Sequence, residues 1–194
     1  MDIYKFPHMY ECAFRTIPPL CVWRKEWEKE VHRFLISLPS PPLSVIDICC
    51  GTGFLSTLIK RVYPNIKIVG IDKSKSMIEF ASTYCSSTEF RCEDISSLTD
   101  NFDVLIMGGG LTTIPIEDVI DVIERITPSY FILVGYKKSI WSFSHKIFTR
   151  VITGKKYFTH RPSETIEIFA SRGIKVKVRS IDVIEGSYAI YKNE

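Results

Sequence analysis

Glutamine is absent from the 194 residues and asparagine is scarce. Depletion of these thermolabile amides points toward a thermophilic source, while the six cysteines point the other way. Those cysteines (Cys12, Cys21, Cys49, Cys50, Cys85 and Cys92) show no paired metal-ligand spacing, so no metal site is expected. They read as reduced structural thiols, although a hyperthermophilic source would admit a Cys85–Cys92 disulfide. No apolar run approaches the roughly 20 residues needed to span a bilayer. Met1 to Arg15 has no apolar core after a basic start, so no signal peptide is expected and the cytoplasm is the default location. A net charge of +3 is too small to imply a polyanionic partner.

What is present describes an ordinary globule, 45% hydrophobic and 24% charged, with no internal repeat or low-complexity tract. One domain over 1–194 is expected. Residues 1–42 form an N-terminal helical cap segment in this reading. Met1 to Leu20 reads as irregular, broken by Pro7, Pro18 and Pro19, and Cys21 to Leu38 reads as an amphipathic helix stopped by Pro39, Pro41 and Pro42.

The organising stretch is Ser44 to Ser56, SVIDICCGTGFLS. Val45, Ile46 and Ile48 make a short buried strand, Gly51 and Gly53 make a turn, and a helix runs from Phe54 to Val62. Strand, glycine turn and helix form the front half of a nucleotide-binding βαβ unit. The next strand, Lys67 to Ile71, ends at Asp72, the separation expected of an acid that binds a ribose hydroxyl. Ser56 replaces the third glycine of a dinucleotide fingerprint, and Asp47 would repel a pyrophosphate while attracting an ammonium group. An adenosyl amino acid fits these residues better than a dinucleotide.

The alternation continues with a helix over Ser76–Tyr84, N-capped by Ser74, and strands at Glu89–Cys92 and Phe102–Met107. A helix over Ile116–Ile126 opened by Pro115 and an apolar strand at Tyr130–Tyr136 follow. After a helix near Pro162–Arg172 come two strands, Ile174–Ile184 and Tyr188–Lys192. The link between them is too short for a parallel crossover, so they must pair antiparallel. The expected fold is therefore α/β: a Rossmann-like, mostly parallel seven-stranded sheet, helices on both faces and a C-terminal antiparallel hairpin.

Asp47-Ile48-Cys49-Cys50-Gly51-Thr52-Gly53 resembles the first motif of class I S-adenosylmethionine-dependent methyltransferases, with Cys49 standing where that family usually has its first glycine. Gly70 to Ala81, GIDKSKSMIEFA, resembles the second motif, Arg91 to Ile95 the third, and Phe102 to Gly108 the fourth strand. The likeness spans about Leu43 to Lys192. It implies S-adenosyl-L-methionine as cofactor and S-adenosyl-L-homocysteine as product. It also implies a cofactor set of Asp47, Cys49, Gly51, Gly53, Asp72, Lys73, Met77, Asp94, Ile95 and Gly108. Asp47 would balance the cofactor's ammonium, Asp72 accept from the ribose, and Asp94 accept from the adenine amino group, with Met77 and Ile95 against the ring. Each acid also has a plainer use, as a helix cap or turn residue. The N-terminal segment reads as a packing helix that covers one edge of the sheet; the alternative is that Tyr4, His8, Tyr10 and Arg15 fold over the cofactor mouth.

Transfer from a sulfonium needs a general base only when the acceptor must lose a proton. The candidates outside the core pattern are His8, Tyr10, His145 and His160, each of which also reads as a surface residue. Met107-Gly108-Gly109-Gly110-Leu111 stands where base-amino methyltransferases carry Asn/Asp-Pro-Pro-aromatic, and there is no Pro-Cys nucleophile pair, which argues against base methylation. Arg125 to Ser163 contains no acid but eight Lys or Arg residues. Within it, 137–161 is basic and aromatic; the resemblance implies a lid insertion over the acceptor, and the plainer reading is a packed helix with a solvated basic edge. Contact with a lipid surface or RNA is a further reading, RNA being disfavoured by the modest charge. Thr159 to Ile174 resembles the matching segment of quinone, lipid and tetrapyrrole methyltransferases. The expected function is methyl transfer to a small, partly apolar acceptor. An RNA methyltransferase and a non-catalytic cofactor-binding subunit are the alternatives.

Overall fold

The computed structural model describes residues 3–18, 20–136, 158–159, 161–181 and 187–192. Its centre is a seven-stranded sheet in the order β3-β2-β1-β4-β5-β7-β6. Strands β1 (Ser44–Ile48), β2 (Lys67–Asp72), β3 (Glu89–Cys92), β4 (Val104–Gly108) and β5 (Tyr130–Tyr136) are parallel. β7 (Ser187–Lys192) runs antiparallel between β5 and β6 (Val176–Ile181). The expected mixed sheet and terminal antiparallel pair are both present.

Strand alternation divides the core in two. Ile46 and Ile48 of β1 and Phe131 and Leu133 of β5 join one cluster with Val119, Ile120 and Ile123 of α5 (Ile116–Ile126) and Phe169 of α6 (Pro162–Ser171). Val45, Ile132 and Val134 point the other way. They meet Trp23, Trp27 and Val31 of α2 (Leu20–Ser37) and Leu55 and Ile59 of α3 (Phe54–Val62). On α5 the buried residues Ile116, Val119, Ile120, Ile123 and Ile126 recur at helical spacing. Burying each such side chain contributes about 1.5–3 kcal/mol, so this stripe fixes α5 to the sheet. A charge at Ile120 would break it. α4 (Lys75–Tyr84) packs on β2 and β3.

One expectation needs correcting. The first segment is not irregular: a 3-10 turn spans Ile3–Lys5 and α1 spans Pro7–Thr16. Pro7 sits in the first helical turn, where its missing N–H leaves nothing unpaired. All six cysteines are free, so Cys85 and Cys92 form no disulfide; Cys85 instead lies 3.1 Å from the Thr88 hydroxyl. The lid segment 137–161 falls, apart from 158–159 and 161, outside the described residues, as does the hairpin link at 182–186.

Candidate functional site

The chain leaves β1 toward β2 and β3, then returns to β4 on the other side of β1. Sheets of this kind bind ligands beyond the carboxyl ends of the strands where the order reverses. A cavity of about 410 Å³ opens there, within the ordinary range for small-molecule sites. Cys49 stands at the end of β1, Asp72 and Lys73 at the end of β2, and Asp94 and Ile95 after β3. Thr113, Ile114, Pro115 and Asp118 follow β4, and Tyr4 and Phe158 also line the cavity. Phe158 is tied in by its N–H, which donates to Thr112 O at 2.8 Å.

Asp72 ends β2 with both oxygens engaged by main chain. Oδ2 accepts from Gly51 N at 3.0 Å and Oδ1 from Ser74 N at 2.8 Å. Each carboxylate oxygen has a second lone pair, so Asp72 can accept further hydroxyls while it anchors the glycine loop. A Cβ on Gly51 would meet nothing within 4 Å, which leaves the loop open to close approach by a ligand. Gly53 and Gly108 differ. A Cβ on Gly53 would stand 3.0 Å from the Phe90 ring, and one on Gly108 would overlap Leu55, so these two glycines serve packing.

Asp47 and Met77 do not line the cavity. Met77 is fully buried. Asp47 shares the α3 face with Val45, is 1% exposed, and accepts a 2.6 Å hydrogen bond at Oδ2 from the Ser56 hydroxyl. Its Oδ1 is buried without a hydrogen-bond partner among the described residues. Burial, opposed in part by Ser56 and reinforced by Asp72, pushes this carboxyl up to about 7.

Cys49 occupies the left-handed region at φ +56°, a conformation that costs an L-residue about 1–2 kcal/mol. Burial, and then the charges of Asp72 and Asp47, push its thiol up, so it presents a neutral sulfur to the cavity. Asp94 is held below the usual carboxylate range by the Ser96 N–H, which donates to Oδ1 at 2.9 Å.

Sequence reasoning did not find the way the N-terminal segment is fastened to this site. Ser74 and Ser76 hydroxyls both donate to Tyr4 O, at 3.1 and 2.7 Å. On α1, Glu11 Oε2 accepts from the buried Thr52 hydroxyl at 2.8 Å, while Oε1 pairs with Arg15 and Arg24 at 2.8 Å each. Arg24 in turn lies over the Phe54 ring, 4.6 Å from its centroid. Burial pushes the Glu11 carboxyl up, but Arg24, Thr52 and Arg15 outweigh it and hold it below the usual range. Polar residues facing inward give α1 no apolar stripe, so no periodic signal announced it.

Of the base candidates, His8 is exposed and meets Phe80 edge-on at 4.9 Å, away from the cavity. Tyr10 stacks on Phe14 at 4.5 Å; burial first, then Tyr4 and Asp72, push its hydroxyl up, so it stays protonated. His145 and His160 lie outside the described residues. No histidine lines the cavity among the described residues, and no group of residues there could hold a metal ion.

Comparison with known proteins bears on these features. Residues 39–134, which hold the glycine loop, Asp72, Asp94 and β4, match the family described as a methyltransferase domain. Over this stretch, close to half of the chain, the protein is similar to that methyltransferase-domain family. Among the relatives it resembles, a malonyl-[acyl-carrier protein] O-methyltransferase of Bacillus cytotoxicus is 35% identical over 89 residues, covering 41% of this chain and 31% of that protein. Demethylmenaquinone methyltransferase of Desulfitobacterium hafniense is 30% identical over 146 residues, 64% of this chain and 55% of that protein. The matches thus span about a third to a half of these relatives' length. Magnesium protoporphyrin IX methyltransferase of Synechocystis PCC 6803, crystallised with bound S-adenosylhomocysteine, shares the fold with a TM-score of 0.68. Its identity is 20%, with 88% of this chain and 83% of that one covered.

Proposed function

We propose that this chain is an S-adenosylmethionine-dependent methyltransferase acting on a small, partly apolar acceptor. The observation that carries the cofactor reading is the cavity at the carboxyl ends of β1 to β4, with Asp72 and Asp94 on one wall and open space above Gly51. Asp72 accepts from the ribose hydroxyls and Asp94 from the adenine amino group, with Ile95 against the ring. Asp47 acts from beneath the loop, through the Ser56 helix start rather than by contact. When bound, the cofactor supplies a methyl group already activated for in-line displacement. What the protein adds is position: holding acceptor and methyl in line is worth on the order of 7 kcal/mol or more. Cys49 keeps the left-handed path of the first loop position, so its presence does not favour a non-catalytic reading. For the acceptor, support comes from the relatives and the structural neighbour, whose names give malonyl-[acyl-carrier protein], demethylmenaquinone and magnesium protoporphyrin IX.

Calorimetry with S-adenosylhomocysteine tests the cofactor site. The unaltered chain is expected to bind, and Asp72→Ala to bind about tenfold or more weakly, since a charged hydrogen-bond acceptor is lost. No binding at millimolar concentration removes the reading, and unchanged affinity in Asp72→Ala removes the ribose assignment. A screen of small apolar acceptors with labelled methyl donor then identifies the substrate.

A further inference from the structure

Asp94 stands on a short 3-10 turn, Ile95–Ser97, that follows β3 and forms one wall of the cavity. The turn is joined to the carboxylate itself: Ser96 N donates to Asp94 Oδ1 at 2.9 Å, and the Ser97 hydroxyl donates to Asp94 O at 2.8 Å. Three carbonyl oxygens of this stretch, those of Ile95, Ser96 and Leu98, converge on one point. Left alone, three acceptors facing each other repel. What occupies that point is Arg125 from the last turn of α5: its Nη1 lies 3.3 Å from Ile95 O, 2.9 Å from Ser96 O and 3.2 Å from Leu98 O. α5 therefore borders the cavity at its start through Asp118 and braces the 95–98 turn at its end through Arg125.

A carboxylate can only accept, so it favours a purine with a 6-amino group and repels one with a 6-oxo group. That discrimination depends on where the Asp94 carboxylate points, and the turn that directs it is pinned by Arg125. We infer that Arg125 is a positioning residue that sets the purine selectivity of this cavity, holding the 95–98 turn so that Asp94 reads a 6-amino purine. The inference rests on the cofactor reading above and adds to it a residue some thirty positions away in sequence.

The test is calorimetry with two ligands, S-adenosylhomocysteine and S-inosylhomocysteine. Four proteins are compared: the unaltered chain, Arg125→Ala, Arg125→Lys and Arg172→Ala. Arg172 braces the solvent side of α5 through Asp121 and Glu124, so its variant reports loss of support for the helix alone. The unaltered chain and Arg172→Ala are expected to prefer the adenosyl ligand by about tenfold or more. In Arg125→Ala this preference falls about fivefold or more, through the adenosyl ligand, while the inosyl affinity stays within about twofold. Arg125→Lys lies between, because its ammonium keeps the charge and three donors but not the reach and planar geometry of the guanidinium, and it decides the matter should the alanine variant not fold. Equal loss for both ligands, or an unchanged ratio, overturns the inference while leaving the cofactor site standing. An unaltered chain that binds neither ligand removes the cofactor reading and this inference together.

Discussion

The Ser56 hydroxyl donates to Asp47 Oδ2 at 2.6 Å across the interface of α3 and β1, and both residues are buried. The pair joins the strand before the glycine loop to the helix after it, so the loop is held at both ends. Its weakness is the other oxygen, which has no partner among the described residues. An ionised Asp47 is therefore expensive, and burial pushes its carboxyl up to about 7.

The sign of the resulting pH dependence follows. An unfolded aspartate ionises near 3.9, whereas the native group holds its proton until about 7. Between these values the native state binds more protons than the unfolded state, so stability falls as pH rises and is level again above about 7. Asp47→Asn keeps an acceptor for Ser56 without the charge. Urea unfolding from pH 4 to 8 should show the unaltered chain losing on the order of 4 kcal/mol relative to Asp47→Asn across this window. Parallel curves for the two proteins would refute the assignment.

Glu11 gives the opposite slope. Its carboxyl is held below the usual range, so its contribution is present above the unfolded pKa and lost as pH falls through the native value. Glu11→Ala takes from the largely buried Arg24 its 2.8 Å partner, leaving the longer 3.3 Å contact with Glu28, and leaves Thr52 without this acceptor. The expected loss is about 3 kcal/mol at neutral pH, and Glu11→Gln should lose less and respond less to acid. Denaturation midpoints at pH 3.5 and 7 check both.

Cys49 at φ +56° makes a steric prediction. Cys49→Val places a β-branched side chain in the left-handed region and should cost about 2 kcal/mol, seen as a lower thermal midpoint. Cys49→Gly relieves the strain and should match or exceed the unaltered chain. A valine variant as stable as the glycine variant would show that the loop does not take this path.

Gly110→Ala is expected to destabilise by about 1–3 kcal/mol. The new Cβ would overlap Met107 Cε, which can swing away, but would also stand 2.9 Å from Cys49 Cβ, which cannot move without the loop. Thermal unfolding measures the loss, and S-adenosylhomocysteine titration shows whether the loop shifts with it.

Much of this architecture was legible because the parallel strands are buried on both faces and read as short apolar runs, as at Tyr130 to Tyr136. The C-terminal antiparallel pair followed from loop length alone. What the sequence hid were interactions between distant polar residues. α1 buries Glu11 rather than an apolar stripe, so periodicity was silent there. Asp47 was visible as an acid in a strand, but nothing local named Ser56 as its partner. The glycine pattern signalled a turn, and Gly51 and Gly53 do take positive φ, but nothing local showed that Gly53 and Gly108 also make room for Phe90 and Leu55. Ser74 does cap α4, as expected, but spends its hydroxyl on Tyr4 instead of the helix.

The placement of β7 has a consequence for how the molecule is made. β6 joins the sheet only through β7, which slots between it and β5 although it comes later in the chain. During synthesis on the ribosome, β5 must therefore wait with its outer edge uncovered until residues 187–192 emerge. A nascent or truncated chain lacking them would carry a sticky margin that invites chaperones or clumping, even with the cofactor cavity already assembled.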